Sequence, residues 1–277
     1  MAFPGENIPI AAEVTRAARE LVGRSVERPV VLGYHPVARM NPFQELLYLT
    51  GPESGVGVVP LIKQADFPVL EAAVKMGVPA VLHLHWTSAI MAPALNEFDA
   101  ERRARLFITE LEDLKALGVR LVWTVHNVLP HHCKYASAEA RMRGELAALA
   151  DGIHIMNPAT VEEVAEHYEL PVEKTFQIPH PSYAEFYPRI ARGDARFALG
   201  FEPDDVVIGA IGSIQPYKGL RTLGSAVAEA SRSNRRVTGL VAGMPGPDSA
   251  HVIEDLARWP SVRTIAKKLS DRELAQA

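Results

Sequence analysis

The 277-residue sequence holds a single cysteine, Cys133, so no intramolecular disulfide can staple it, and the chain fits a reducing compartment. Long apolar runs are missing as well, none approaching the roughly 20 residues of a membrane span. The N-terminus carries Glu6 and Glu13 where a signal peptide would have a basic region and an apolar core, so the cytoplasm is the expected location. Basic charge is not in excess. Lys and Arg number 29 against 33 Asp and Glu, a formal net charge of −4, which argues against general nucleic-acid binding. Three catalytic signatures are also absent: the P-loop, a complete Gly-x-Gly-x-x-Gly fingerprint and the Gly-x-Ser-x-Gly nucleophile elbow.

What remains is the composition of an ordinary globular chain, 48% hydrophobic and 22% charged, long enough for one large or two modest domains. Residues 1–28 read as a lead-in with a short helix near 10–22. Strands are expected at Pro29–Tyr34, Gly57–Ile62, Ala80–Trp86, Val119–His126 and Gly152–Met156. Helices are expected between them: one opened by Asn41, Pro42 and Gln44 as a capping-box-like start, one over Phe67–Met76, and one over Ala100–Leu117. That last helix should bury Leu106, Leu111, Leu114 and Leu117. Asn157-Pro158 caps a further helix.

The prolines at 179, 181 and 188 and the charges after them read as a linker over 178–203. Alternation then restarts with Val206–Ile211, a helix to Arg232, Val237–Ala242, a helix near Asp248–Ala257 and Val262–Ala266. Ser270-x-x-Glu273 opens a last helix as a capping box. Such alternation argues for parallel, doubly wound sheets, with a domain over 29–177 and a shorter second unit over 204–277.

Within that second unit, Val206–Leu220 reads as a buried strand that breaks at Gly212. A polar turn follows, then a helix with Leu220, Leu223, Ala226, Val227 and Ala230 on one face. A helix N-terminus directs free N–H groups outward, and Lys218 beside it suits a bound anion, so a phosphate or diphosphate site is expected there. A ligand-free glycine turn is the plainer alternative. In the first unit, histidines gather near strand ends: His35, His83, His85, His126, His131 and His132, with His180 in the linker. Ligands in open parallel sheets bind at carboxyl ends. A functional role is expected for His126, whereas His83 reads as a satisfied core histidine. His83 and His85, with His131, His132 and Cys133, also leave open a metal-dependent hydrolase, although no acidic residue stands at a convincing ligand spacing and no metal site is assigned.

Taken together, Thr124-Val125-His126-Asn127 with Pro130-His131, Ile178-Pro179-His180 and Gly212-Ser213-Ile214-Gln215-Pro216-Tyr217-Lys218-Gly219 resemble the GT-B glycosyltransferases, over about residues 29–277. The group they resemble is family 4-like, especially its bacterial polysaccharide-assembly members. The resemblance implies two Rossmann-like domains, the first on the acceptor side and the second binding the donor. It implies sugar transfer from a nucleoside-diphosphate sugar with retention of configuration and no obligatory cofactor or metal. Lys218 would contact the donor diphosphate, with Gly212, Ser213, Tyr217, Gly219, His180 and Gly243 also on the donor side. His126 would act near the donor sugar, with His35, His85 and Asn127 facing the acceptor.

That acceptor would be a glycan or a lipid-linked glycan, with peripheral contact at the inner face of the cytoplasmic membrane. Arg232, Arg235 and Arg236 are the one basic cluster toward such contact. Two departures stand out. Ser213 replaces the arginine many members carry, so charge compensation would fall to Lys218, with Arg221 as a helper. The paired-glutamate motif expected further on is not in the sequence, so the donor domain is expected to be incomplete and transfer by this chain weak. A non-catalytic nucleotide-binding remnant is the second rival.

Overall fold

A computed structural model describes residues 10–24, 26–38, 41–130 and 133–277. Chain contacts divide it into two units between Pro181 and Ser182. Unit 1 runs α1 (Ile10–Gly23), β1 (Val30–His35), α2 (Phe43–Leu47), β2 (Val56–Pro60), α3 (Pro68–Lys75), β3 (Ala80–Leu84) and α4 (Ser88–Met91). It continues with α5 (Glu97–Ala116), β4 (Arg120–Thr124), α6 (Ala136–Leu149), β5 (Gly152–Ile155), α7 (Thr160–Val164) and β6 (Thr175–Gln177). Its six strands form one parallel sheet in the order β2-β1-β3-β4-β5-β6.

Side chains alternate between two cores because successive strand residues point to opposite faces. Val59 and Leu61 join the large cluster with Leu82, Leu84, Leu121 and Trp123, while Tyr34 and Val58 pack with Tyr48 in a second one. Fully burying an aliphatic side chain of this kind contributes roughly 1.5–3 kcal/mol. Helix α5 is longer than the expected Ala100–Leu117, and its buried face differs. Asn96 caps it by accepting from the Asp99 amide, and Ala100, Ala104, Phe107, Ile108, Leu111 and Leu114 face inward. Leu106 is 58% exposed and Leu117 43%, because at 3.6 residues per turn they lie roughly 140° and roughly 120° around the helix from the buried Leu111. The helix after Asn41 also starts differently. Asn41 accepts from the Phe43 amide, but the buried Gln44 side chain accepts from Ala38 N and donates to Pro36 O, so it secures the 36–38 loop rather than completing a capping box.

Unit 2 contains α8 (Arg192–Leu199), β7 (Val206–Ile211), α9 (Leu220–Ser233), β8 (Val237–Gly243), α10 (Ala250–Leu256), β9 (Val262–Ala266) and α11 (Asp271–Gln276). Its three strands are parallel in the order β7-β8-β9. Helix α8 lies inside the stretch expected to be a linker and packs with α11. At the start of α11, Ser270 and Glu273 form the anticipated capping box. The two faces of β8 feed separate clusters, Val241 into one and Leu240 with Ala242 into the other. Strand β7 is not the buried strand its apolar run suggests. It pairs only with β8, and Val206, Ile208 and Ile211 are each more than two-fifths exposed.

Helix α9 buries Leu220, Gly224 and Val227, with Leu223 half-buried, while Ala226 and Ala230 are exposed. Gly224 is there because the Trp259 ring occupies the space a Cβ would need. In an unconstrained helix Gly→Ala stabilises by about 1 kcal/mol. We expect Gly224→Ala to do the reverse and lower stability in urea by about 1–3 kcal/mol through overpacking. A gain in stability would show that Trp259 moves aside freely.

Candidate functional site

Two groups of side chains gather at the carboxyl ends of the strands, one in each unit. In unit 1, adjacent parallel strands place Thr124 of β4 opposite His154 of β5, and β3 brings His83 and His85 beside them. Tyr48, just after α2, reaches in from the side. Tyr48 OH lies 2.6 Å from His83 Nδ1 and 2.7 Å from His85 Nε2. His83 Nε2 is 2.8 Å from Thr124 Oγ1, which is 2.9 Å from His154 Nδ1. His154 Nε2 donates to the Ile178 carbonyl at 2.8 Å. At the other end His85 Nδ1 is 3.0 Å from His126 Nε2.

Burial holds these rings neutral by penalising the imidazolium. It pushes His83 and His126 down to about 3 and moves His85 and His154 below their ordinary value. Both nitrogens of His83 and both of His85 are taken up by hydrogen bonds. Among the described residues no three His, Cys, Asp or Glu side chains come together as a metal site, and His131 and His132 lie outside those residues. Cys133 is half-buried, and burial raises its thiol pKa.

His126 is half-buried and stacks on Trp86 at 4.0 Å between ring centroids. Phe43 meets its edge at 5.0 Å and meets the exposed His180 at 5.2 Å, so the structure does bring His85, His126 and His180 around one aromatic ring. His35 stands apart. Its Nδ1 donates to Leu61 O at 2.9 Å, and the ring borders a cavity of about 370 Å³ with Lys63, Leu84, Trp86, Ile90 and Phe107. Trp86 therefore lines the cavity and backs His126 as well.

The loop leaving β4 is clamped from below by residues that no motif marks. Arg143 Nη1 donates to the carbonyls of Asn127 at 2.5 Å and Val128 at 3.1 Å. Its Nε donates to the Glu139 carboxylate at 2.8 Å, and Thr87 Oγ1 donates to the same oxygen. All three side chains are buried. Tyr168 OH adds a bond to Val128 O at 3.0 Å. Asn127 thus contributes its carbonyl to holding the loop in place.

In unit 2, the ends of β7 and β8 continue as two zipped loops. Gly212 N donates to Ala242 O, Ile214 N to Met244 O and Gly246 N to Ile214 O, each near 3 Å. Gly212 has φ +124° and Gly243 φ +154°, and a Cβ on Gly243 would overlap the Gly212 carbonyl, so only glycine allows the close approach. Lys218 is not in α9 but in a 3-10 turn, Pro216–Lys218, just before it. Gly219 follows at φ +67° as an N-cap without a side-chain cap, which leaves the first N–H groups of α9 unclaimed by a cap. Lys218 Nζ donates to Ser213 Oγ at 3.0 Å, which holds the ammonium over the Gly212 turn. It has no carboxylate partner among the described residues. Arg221, the expected helper, is ion-paired with Asp255 at 2.5 Å. Tyr217 is 51% exposed.

Among the described residues no helix is long and apolar enough to cross a membrane. Arg232 and Arg236 of the basic cluster are ion-paired to Glu229 and Asp204.

No protein-family model and no curated protein matches the chain. Solved structures do. HepE from Anabaena, in complex with UDP and glucose, superposes with a TM-score of 0.57 at 16% identity, over 88% of this chain and 70% of that one. The catalytic domain of starch synthase IV from Arabidopsis thaliana, bound to ADP and acarbose, gives 0.54 at 12% identity over 88% and 75%. MnaA from S. aureus, with UDP, gives 0.50 at 11% identity over 90% and 70%. At such identities the likeness is one of fold, and the fold is GT-B: α/β, with two Rossmann-like parallel-sheet units.

Two outcomes follow from the geometry of unit 1. Between pH 6.5 and about 3 the unfolded chain binds protons that the folded His83 refuses, so stability drops as the pH is lowered through that window and is flat above it. At pH 5 His83 alone should cost about 2 kcal/mol, measurable as a lower urea midpoint than at pH 7. Arg143→Met, which strands the buried Glu139 charge and the Asn127 carbonyl, should lose about 3–5 kcal/mol in the same melts. A loss under about 1 kcal/mol would show that water replaces the guanidinium.

Proposed function

We propose that this chain is a glycosyltransferase that moves a sugar from a nucleoside-diphosphate sugar to an acceptor hydroxyl, with retention of anomeric configuration. The observation that carries the proposal is the Gly212–Lys218 corner. It combines a glycine turn, an ammonium pinned by Ser213 with no carboxylate partner among the described residues, and an uncapped helix start immediately after it. These are the donors a diphosphate takes up. The GT-B neighbours support the choice of ligand class: HepE has been crystallised with UDP-glucose, and starch synthase IV with ADP.

In the reaction, the bond between the anomeric carbon and the diphosphate oxygen breaks and its electron pair leaves with the diphosphate. Lys218 and the α9 amides offset that charge as it develops, which lowers the barrier where a fixed donor acts most strongly. The acceptor oxygen bonds to the anomeric carbon and gives up its proton to the departing phosphate oxygen. No metal is required of this scheme. His126, His180 and Asn127 hold hydroxyls of the saccharides. The cavity bordered by His35, Lys63 and Trp86 takes the acceptor, whose class is a glycan or lipid-linked glycan. Peripheral membrane contact rests on that acceptor class alone, since the basic cluster is largely ion-paired.

Thermal shifts with UDP, GDP and ADP test the diphosphate corner directly. One of the three should raise the melting temperature of the wild type, and Lys218→Ala should weaken that nucleotide about tenfold or more. Equal shifts in both proteins, or no shift with any nucleotide, would overturn the assignment.

A further inference from the structure

Six consecutive hydrogen bonds join Ile178 O, His154, Thr124, His83, Tyr48, His85 and His126 in one unbranched file, at 2.6 to 3.0 Å. Its far end is a backbone carbonyl, which can only accept. His154 must therefore carry its proton on Nε2, and as a neutral ring it offers Nδ1 as a lone pair. Thr124 must donate to that lone pair and so accepts from His83, whose proton is then on Nε2. Tyr48 donates to His83 Nδ1 and accepts from His85 Nε2. His85 Nδ1 is left as an acceptor, and His126 must donate to it from Nε2.

We propose that the Ile178 carbonyl, acting through this file, locks His126 in the Nε2–H tautomer and leaves its Nδ1 as a permanent hydrogen-bond acceptor for a saccharide hydroxyl. Tyr48, His83, Thr124 and His154 are positioning residues in this scheme, since none of them needs to touch a ligand. Neutrality supports the lock: His83, His85 and His154 are buried and His126 is half-buried, and no carboxylate is hydrogen-bonded to any of the four among the described residues. Nδ1 of His126 takes no hydrogen bond from a described residue. The file is a lock and not a conduit, because a proton entering at His126 could travel only as far as His154, where the carbonyl cannot take it.

The tautomers do not depend on any reaction; the ligand class rests on the proposed sugar transfer. Long-range proton–nitrogen correlation spectra of protein labelled with nitrogen-15 histidine, assigned by single substitutions, read each tautomer at pH 7. Neutral Nε2–H forms of all four rings are expected, and an Nδ1–H or doubly protonated His126 would overturn the lock. Thr124→Val cuts the file from its anchor and strands the buried His83 Nε2–H. The remaining groups then keep as many bonds by reversing direction, which moves the His126 proton to Nδ1. Thr124→Ser should restore the wild-type spectrum. An unchanged His126 signal in folded Thr124→Val would mean that the tautomer is set locally and would also overturn the lock. Should that variant fail to fold, Tyr48→Phe severs the same file nearer His126 and is read the same way.

For the ligand class, Thr124→Val should weaken a nucleotide-sugar about tenfold while leaving the matching nucleoside diphosphate unchanged, because only the sugar loses a bond. Equal weakening of both would sink the saccharide assignment. Absence of any nucleotide binding by the wild type would instead sink the proposed transfer and leave the spectroscopic result standing.

Discussion

Four imidazoles can sit beneath the carboxyl ends of a parallel sheet only while every buried nitrogen has a partner. An unmade bond there costs on the order of 1–3 kcal/mol, and a charge costs more. Unit 1 meets this constraint by setting the Thr124 and Tyr48 hydroxyls between rings and by pairing His85 directly with His126, so that each donor faces an acceptor. The consequences spread outward. Tyr48 must follow α2 closely enough to reach both His83 and His85, which fixes where α2 lies against the sheet. Gln44 then secures the loop that leads into α2. Satisfying buried polarity, more than apolar packing, decides the layout around His126.

Unit 2 solves a different problem with different means. Its candidate corner is exposed, so solvation is not at issue and the need is for close approach of two main chains. Gly243 sits against the Gly212 carbonyl, and the Ile214 and Gly246 amides stitch the two loops together. The ammonium of Lys218 is held by one neutral hydroxyl rather than a carboxylate, so its charge is kept available. Rigidity supplied by backbone bonds and charge left uncompensated are what an anion-binding corner needs.

Features that depend on local spacing could be read from the residues alone. The capping box of Ser270 and Glu273, the strand Val262–Ala266 and the parallel alternation are of this kind. Helix α6 is hard to read from the residues because its buried face interleaves Ala138, Met142 and Leu146 with the charged Glu139 and Arg143, which blurs the apolar stripe. His154 escaped notice for a different reason. Its importance comes from lying opposite Thr124 in a neighbouring strand, and register between strands is not written in either one. The strand-to-helix turn from Gly212 to Lys218 was legible from local spacing, and Gly219 in the left-handed region starts the helix just after Lys218. Arg221 looked available because charge can be seen in a sequence and a partner such as Asp255 on another helix cannot.

Strand β7 bears on how the molecule behaves in the tube. One margin of the small sheet shows an unpaired backbone edge beside three well-exposed branched aliphatic side chains. Natural sheets usually blunt such margins with lysine, proline or a bulge, and Val206–Ile211 contains none of the first two. Such a margin is a place where another strand can pair. Concentration-dependent self-association and loss on hydrophobic surfaces would respond to a charged residue at position 206 or 208 without disturbing either candidate site.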